Sequence, residues 1–159
     1  MERVFVLTAT GEAATEIAAF DNALVNAGIA NMNLIYLSSV IPAKTCVEQI
    51  YKYKLSPENF GKRLYVVMAK RESLTDDGVA AGLGWVMEEN GRFGLFVEHD
   101  AETSKEVIKL IHDSLSDMMK SRKEYHFSEI QYLVSEAKRT NDRAIAAIAV
   151  AVYQIDDWR

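Results

Sequence analysis

Two stretches of small and apolar residues set the tightest limit on what this chain can fold into. Residues 79–88 contain Ala80, Ala81, Gly82 and Gly84, and residues 144–153 contain five alanines and end at Tyr153. Both read as strands. A helix over 79–88 would carry two interior glycines, each costing about 1 kcal/mol relative to alanine. Strands with such small side chains let another layer of the same chain, or another subunit, approach closely. The rest of the chain must therefore supply that covering layer or an oligomer must.

The remaining elements follow from periodicity. Residues 3–9 predict a first strand, followed by a turn or loop from Thr10 to Thr15 around Gly11. Residues 14–27 predict a helix with Ile17, Phe20 and Leu24 on one face and Gly28 as its stop. A second strand spans 33–38, and Pro42 breaks it. Residues 43–62 read as loop with one short helix. Leu64 to Ala69 is an apolar strand, and Lys70 to Gly78 is a charged connection. Arg92 to His99 is a strand. Residues 102–124 form an amphipathic helix, with Val107, Leu110, Ile111, Leu115, Met118 and Met119 along one side. Phe127 to Lys138 is the penultimate strand. With about seven strands and two main helices, the fold class is α+β, a layered sandwich built from one domain over 1–159.

Charge and cysteine content exclude several functions. The net charge of −5 leaves no basic stripe to neutralise phosphates, so no nucleic-acid partner is expected. No apolar run approaches the ~20 residues needed to span a bilayer. The first residues reach charge too soon for a signal peptide, so a cytoplasmic location is expected. Cys46 is the sole cysteine. No His, Asp and Glu cluster has zinc-like spacing, so no metal is expected.

Three features can carry chemistry. Ser38 and Ser39 close the second strand, and a serine hydroxyl can attack the carbonyl of the residue before it, breaking the chain. The pair is weak evidence alone. Asp21 lies ~40° from Ile17 and ~60° from Leu24 around the first helix at ~100° per residue, which puts a carboxylate within the apolar face. A buried carboxylate requires a partner, whereas a boundary residue does not. Glu98 follows the apolar run Phe93-Gly94-Leu95-Phe96-Val97 at a strand end and is suited to donate a proton, or merely marks where a strand turns polar. Alternation points its neighbour His99 to the opposite face. Asn33 and Asn31 flank the second strand, where either can donate to a strained carbonyl or satisfy a turn.

Residues 17–42 resemble the core motif of the pyruvoyl-dependent arginine decarboxylases. The match comprises Ala19-Phe20-Asp21, the Ala27-Gly28-Ile29 turn, and Asn33-Leu34-Ile35 leading to Ser38-Ser39. Leu95-Phe96-Val97-Glu98 is similar to a second family block, and Ala144 to Tyr153 to the terminal strand.

The resemblance implies self-cleavage. Ser39 attacks the Ser38 carbonyl, giving a β chain of residues 1–38 and an α chain of residues 39–159 that begins with a covalent pyruvoyl group. That cofactor decarboxylates L-arginine to agmatine and carbon dioxide through a Schiff base. Glu98 is the implied proton donor and Asn33 supports cleavage. Asp21 faces the guanidinium, and Ile17, Leu24, Met32 and Ser38 line the substrate site. The implied assembly is a homotrimer of αβ protomers, with a hexamer also open, each protomer a layered α-β-β-α sandwich and each active site at a subunit boundary. The same chemistry on another basic amino acid such as ornithine, or a non-processing trimeric binding or regulatory protein, would use the same scaffold. Ala43 stands where the family often has a second proline, and Ala30 where it has a glycine. The tail also continues through Asp156, Asp157 and Trp158.

Overall fold

The computed structural model describes residues 2–159; Met1, where the sequence reading begins, lies outside the described residues. The elements are β1 (Glu2–Ala13), α1 (Glu16–Ala27), β2 (Asn33–Tyr36), β3 (Val40–Ile41), β4 (Thr45–Gln49), β5 (Arg63–Ser73), β6 (Gly78–Met87), β7 (Gly94–Ala101), α2 (Ser104–Lys120), β8 (Gln131–Lys138) and β9 (Ala144–Asp156). A 3₁₀ turn at Pro57–Asn59 lies between β4 and β5. The chain is α+β, as expected. Its strands form two sheets, β2-β5-β9-β1-β4 and β3-β7-β6-β8. The first is mixed, because β2 and β4 run parallel to their neighbours. The second is antiparallel throughout. Among the described residues, no helix is long and apolar enough to cross a membrane.

β9 organises the core because both its faces are covered. Its even-numbered residues, Ala144 to Val152, join Leu7, Leu64, Val66 and the helix alanines Ala19, Ala23 and Ala27. Its odd-numbered residues, Ile145 to Ala151, join Val79, Ala81, Leu83 and Trp85 of β6 and Phe96 of β7. A third cluster packs Val107, Ile111 and Leu115 of α2 on β6 and β7. The small side chains of β6 and β9 are thus covered inside this chain, and close internal packing accounts for them without a second subunit. At Gly82 and Gly84 the space a Cβ would need is taken by Val107, Val134 and Ile111.

The helix ends obey local chemistry. Thr15 caps α1 by accepting from the Ala18 amide at 3.2 Å, and Gly28 ends it in the left-handed region at φ 82°. Thr103 caps α2 in the same way.

Several boundaries differ from expectation. β1 runs on to Ala13, so Gly11 is a strand residue. A Cβ there would sit 2.3 Å from the Ala19 carbonyl oxygen and 2.4 Å from the Ala23 nitrogen, so only glycine lets α1 lie this close. β5 continues to Ser73, its charged residues being paired with β9. β4 pairs with β1 inside a segment expected to be loop. Residues 127–130 contribute only an isolated bridge from Phe127 to Glu88, and the strand starts at Gln131. The buried face of α1 is Ala19, Ala23 and Ala27, and Ile17 is 78% exposed. The alanines win because a helix approaching a backbone at Gly11 has no room for larger side chains.

Gly11→Ala is expected to lower stability by about 3 kcal/mol, the upper end for overpacking, because backbone atoms cannot rotate away. Gly82→Ala meets only methyl groups and is expected to lose less. Denaturant midpoints of the two variants check the order.

Candidate active site

The serine pair sits where the chain changes sheets. β2 is an edge strand of the five-stranded sheet, and β3 is an edge strand of the four-stranded one. Leu37 makes the last bond on the first side, its N–H donating to Val66 O at 2.9 Å. Ser39 makes the first on the second side, its carbonyl accepting from Phe96 N–H at 2.8 Å. Residues 37–39, between the end of β2 and the start of β3, must absorb the whole change of direction. Ser39 does so at φ 59°. A left-handed conformation costs a non-glycine residue roughly 1–2 kcal/mol, and it persists only because both flanks are fixed.

Ser39 Oγ donates to Glu98, 2.8 Å from Oε2 and 3.1 Å from Oε1. Glu98 stands on β7, exposed beyond the buried run from Gly94 to Val97. The structure thus joins two candidates that lie far apart in the sequence. It presents a partly buried hydroxyl to a carboxylate that can accept its proton. His99 points the other way, as alternation predicts, and its Nε2 lies 2.7 Å from Ser114 Oγ on α2.

The other candidates are placed elsewhere. Asn33 does not bond to the serine pair: its amide donates to Gly61 O at 2.6 Å, and its N–H donates to Lys62 O. Trp158 Nε1 donates to the same Gly61 carbonyl at 2.8 Å. The C-terminal tail therefore closes on the turn that anchors the start of β2. Ser38 is exposed. Leu24 and Met32 are half-buried beside the alanine face of α1. Asp21 is exposed rather than set in a buried apolar face. It makes no hydrogen bond or ion pair among the described residues. Lys70, beside this helix, lies 4.3 Å from the Phe20 ring centroid and pairs with Glu72.

One neighbour of the serines escaped the sequence reading. Tyr153, half-buried near the end of β9, donates its hydroxyl to Val40 O at 3.0 Å. Burial first, and then the negative charge of Glu98, push the phenol well above its ordinary value of 10. A tyrosine closing an alanine-rich strand was the available signal, since a buried phenol needs a hydrogen-bond partner.

The residues fit a group made from the chain itself. Residue 39 carries a hydroxyl held on the Glu98 carboxylate, and its backbone lies in the left-handed region. A serine rearrangement uses both features.

Comparison with known proteins agrees. A family model described as pyruvoyl-dependent arginine decarboxylase matches residues 3–157. A protein of that name from Thermococcus sibiricus is 36% identical over 155 residues, covering 95% of this chain and 94% of that protein. One from Thermococcus kodakarensis is 35% identical over 159 residues, with the same coverage. One from Pyrococcus abyssi is 33% identical over 155 residues, again covering 95% and 94%.

Proposed function

The chain belongs to the pyruvoyl-dependent arginine decarboxylase family, and on that premise we propose that it divides itself between Ser38 and Ser39 and then converts L-arginine to agmatine and carbon dioxide. The observation that carries this is the Ser39 hydroxyl held on the Glu98 carboxylate while its own backbone is strained.

The first step belongs to this chain's residues alone. Ser39 Oγ bonds to the Ser38 carbonyl carbon, the C–N bond breaks, and the hydroxyl proton passes to the freed nitrogen, with Glu98 placed to relay it. An ester replaces the amide, and the backbone strain is released. Loss of the Ser39 Cα proton then expels the Ser38 carboxylate and ends the first fragment at residue 38. Water replaces ammonia at residue 39 and leaves a pyruvoyl group. Asn33 supports this step by fixing the start of β2 on the 59–62 turn rather than by touching the bond.

The pyruvoyl carbonyl supplies the electron sink that lets carbon dioxide leave an α-amino acid. Glu98, already beside residue 39, holds the proton that the substrate carbon needs afterwards. Asp21 is free to receive a guanidinium in a bidentate, charge-assisted pair. Ile17, Leu24 and Met32 border the path of the arginine methylenes, and Ser38 closes the site as the new chain end.

The assembly follows the same reading. We place α1 on the five-stranded sheet, the two sheets face to face and α2 outside the second, an α-β-β-α order supported by the three buried clusters. The protomer is one domain, since β9 serves two of those clusters. A homotrimer, alone or doubled to a hexamer, brings α1 of one copy to Ser39 of the next. Ile17, Tyr36 and Val40 are 78%, 54% and 53% exposed in the single chain, which supports a covering partner. The cytoplasm is the compartment this biosynthetic role implies.

Intact-mass spectra of freshly made and aged protein, with carbon dioxide release from arginine, test the proposal. Two fragments and release from arginine support it. One undivided chain favours a binding protein, and release from ornithine alone reassigns the substrate. Asp21→Asn is expected to divide normally but lose about 10–100-fold in kcat/KM for arginine, the worth of one charged hydrogen-bonding pair. Unchanged arginine kinetics would remove Asp21 from the site.

A further inference from the structure

β3, the strand that leads away from Ser39, has two residues, Val40 and Ile41. Its ladder partner is β7, through Leu95 and Gly94, and Phe96 N–H holds the Ser39 carbonyl from the same side. Tyr153 grips Val40 from another direction. It projects from β9 in the opposite sheet, packs its ring edge-on to Phe96 with centroids 6.3 Å apart, and donates to the Val40 carbonyl at 3.0 Å.

Cleavage raises the importance of this bond. Before it, residue 39 is tethered on both sides, through Leu37 to β5 and through Phe96 to β7. Afterwards Leu37 belongs to the other fragment, and residue 39 is a chain end held only from its C-terminal side. The bonds left to keep it against Glu98 are the short ladder to β7 and the Tyr153 hydroxyl. Burial and the Glu98 charge both favour the protonated phenol, so the donor persists wherever Glu98 works.

Resting on the proposed cleavage at Ser39, we infer that Tyr153 is a positioning residue: by holding the Val40 carbonyl it keeps residue 39 aligned with Glu98, first for the cut and then for decarboxylation.

The test compares Tyr153→Phe with Ser135→Ala and wild type. Phenylalanine keeps the ring on Phe96 and removes only the hydroxyl. Ser135 supplies the control, because its Oγ also donates to a backbone carbonyl across the two sheets, Ile148 O at 2.8 Å, in a buried bond between β8 and β9 away from the serines. All three are assayed well below the lowest unfolding midpoint. Tyr153→Phe is expected to divide about tenfold more slowly, as loss of one aligned hydrogen bond allows. Once divided, it should show a kcat for arginine lowered about as much, with KM within twofold and an unchanged pH profile. Ser135→Ala should lose comparable stability yet divide and turn over like wild type. A Tyr153→Phe chain that matches wild type in both rates overturns the inference alone. Equal slowing by Ser135→Ala overturns it too, reducing the effect to stability. A wild-type chain that never divides overturns the parent reading and this one with it.

Discussion

A chain carrying Ser39→Ala is expected to remain one species of 17.8 kDa, with no carbonyl reactive to hydrazine or borohydride and no carbon dioxide released from arginine. The effect is complete rather than graded because alanine has no oxygen to form the ester. The fold should survive. The substitution deletes one partly exposed hydrogen bond to Glu98, a loss of about 1 kcal/mol, and alanine tolerates the left-handed position no better and no worse than serine. An undivided but cooperatively unfolding protein therefore isolates the chemistry from the fold. Ser38→Ala, which leaves the attacked carbonyl in place, should still divide. If Ser39→Ala splits at the same bond, the nucleophile is another group.

Glu98→Gln separates the two uses of the carboxylate. Glutamine keeps an oxygen that can accept from Ser39 Oγ at the observed distance, so the hydroxyl stays oriented and the chain is expected to divide, more slowly. It cannot return a proton to the substrate carbon. Turnover of arginine should fall about 10²–10⁴-fold, the usual worth of a positioned acid, with little change in KM because Asp21 is untouched. Mass spectra follow the division, and single-turnover carbon dioxide release follows the chemistry. Wild-type turnover in Glu98→Gln would remove Glu98 from the reaction, and a complete block of division would make the proton relay in cleavage its main role.

Periodicity marks most clearly the elements with a solvent face. α2 carries Val107, Ile111 and Leu115 at helical spacing and lies against one sheet. The large apolar residues of α1 suggest a buried face that the structure does not use. Gly11 instead admits the alanine face, and that gap exists only once β1 and α1 are packed. The same fact hid the extent of β1, since an isolated glycine among polar residues reads as a turn. β4 leaves no pattern in the sequence because Thr45–Gln49 lies at a sheet edge, where little is buried.

The site divides along the same line. The serine pair, Asp21 and Glu98 stand out as candidates in the sequence, and the structure joins Ser39 to Glu98. Their geometry was not. Asn33 could be read as a donor near the serines, yet its amide is committed to Gly61. Tyr153 carries no motif, and its hydroxyl meets Val40 only because the fold brings β9 beside β3.

By itself the sequence determined most of the segments that extend or coil, where α1 stops, and that a serine pair follows a strand. Those properties depend on residues within a few positions of one another, so local spacing records them. Only the tertiary structure decided that Ser39 is strained, that its hydroxyl rests on Glu98, and that small residues in β6 and β9 serve interior packing. Each of these is a contact between distant segments. Its energy appears only when both surfaces are present, and neither surface encodes the other.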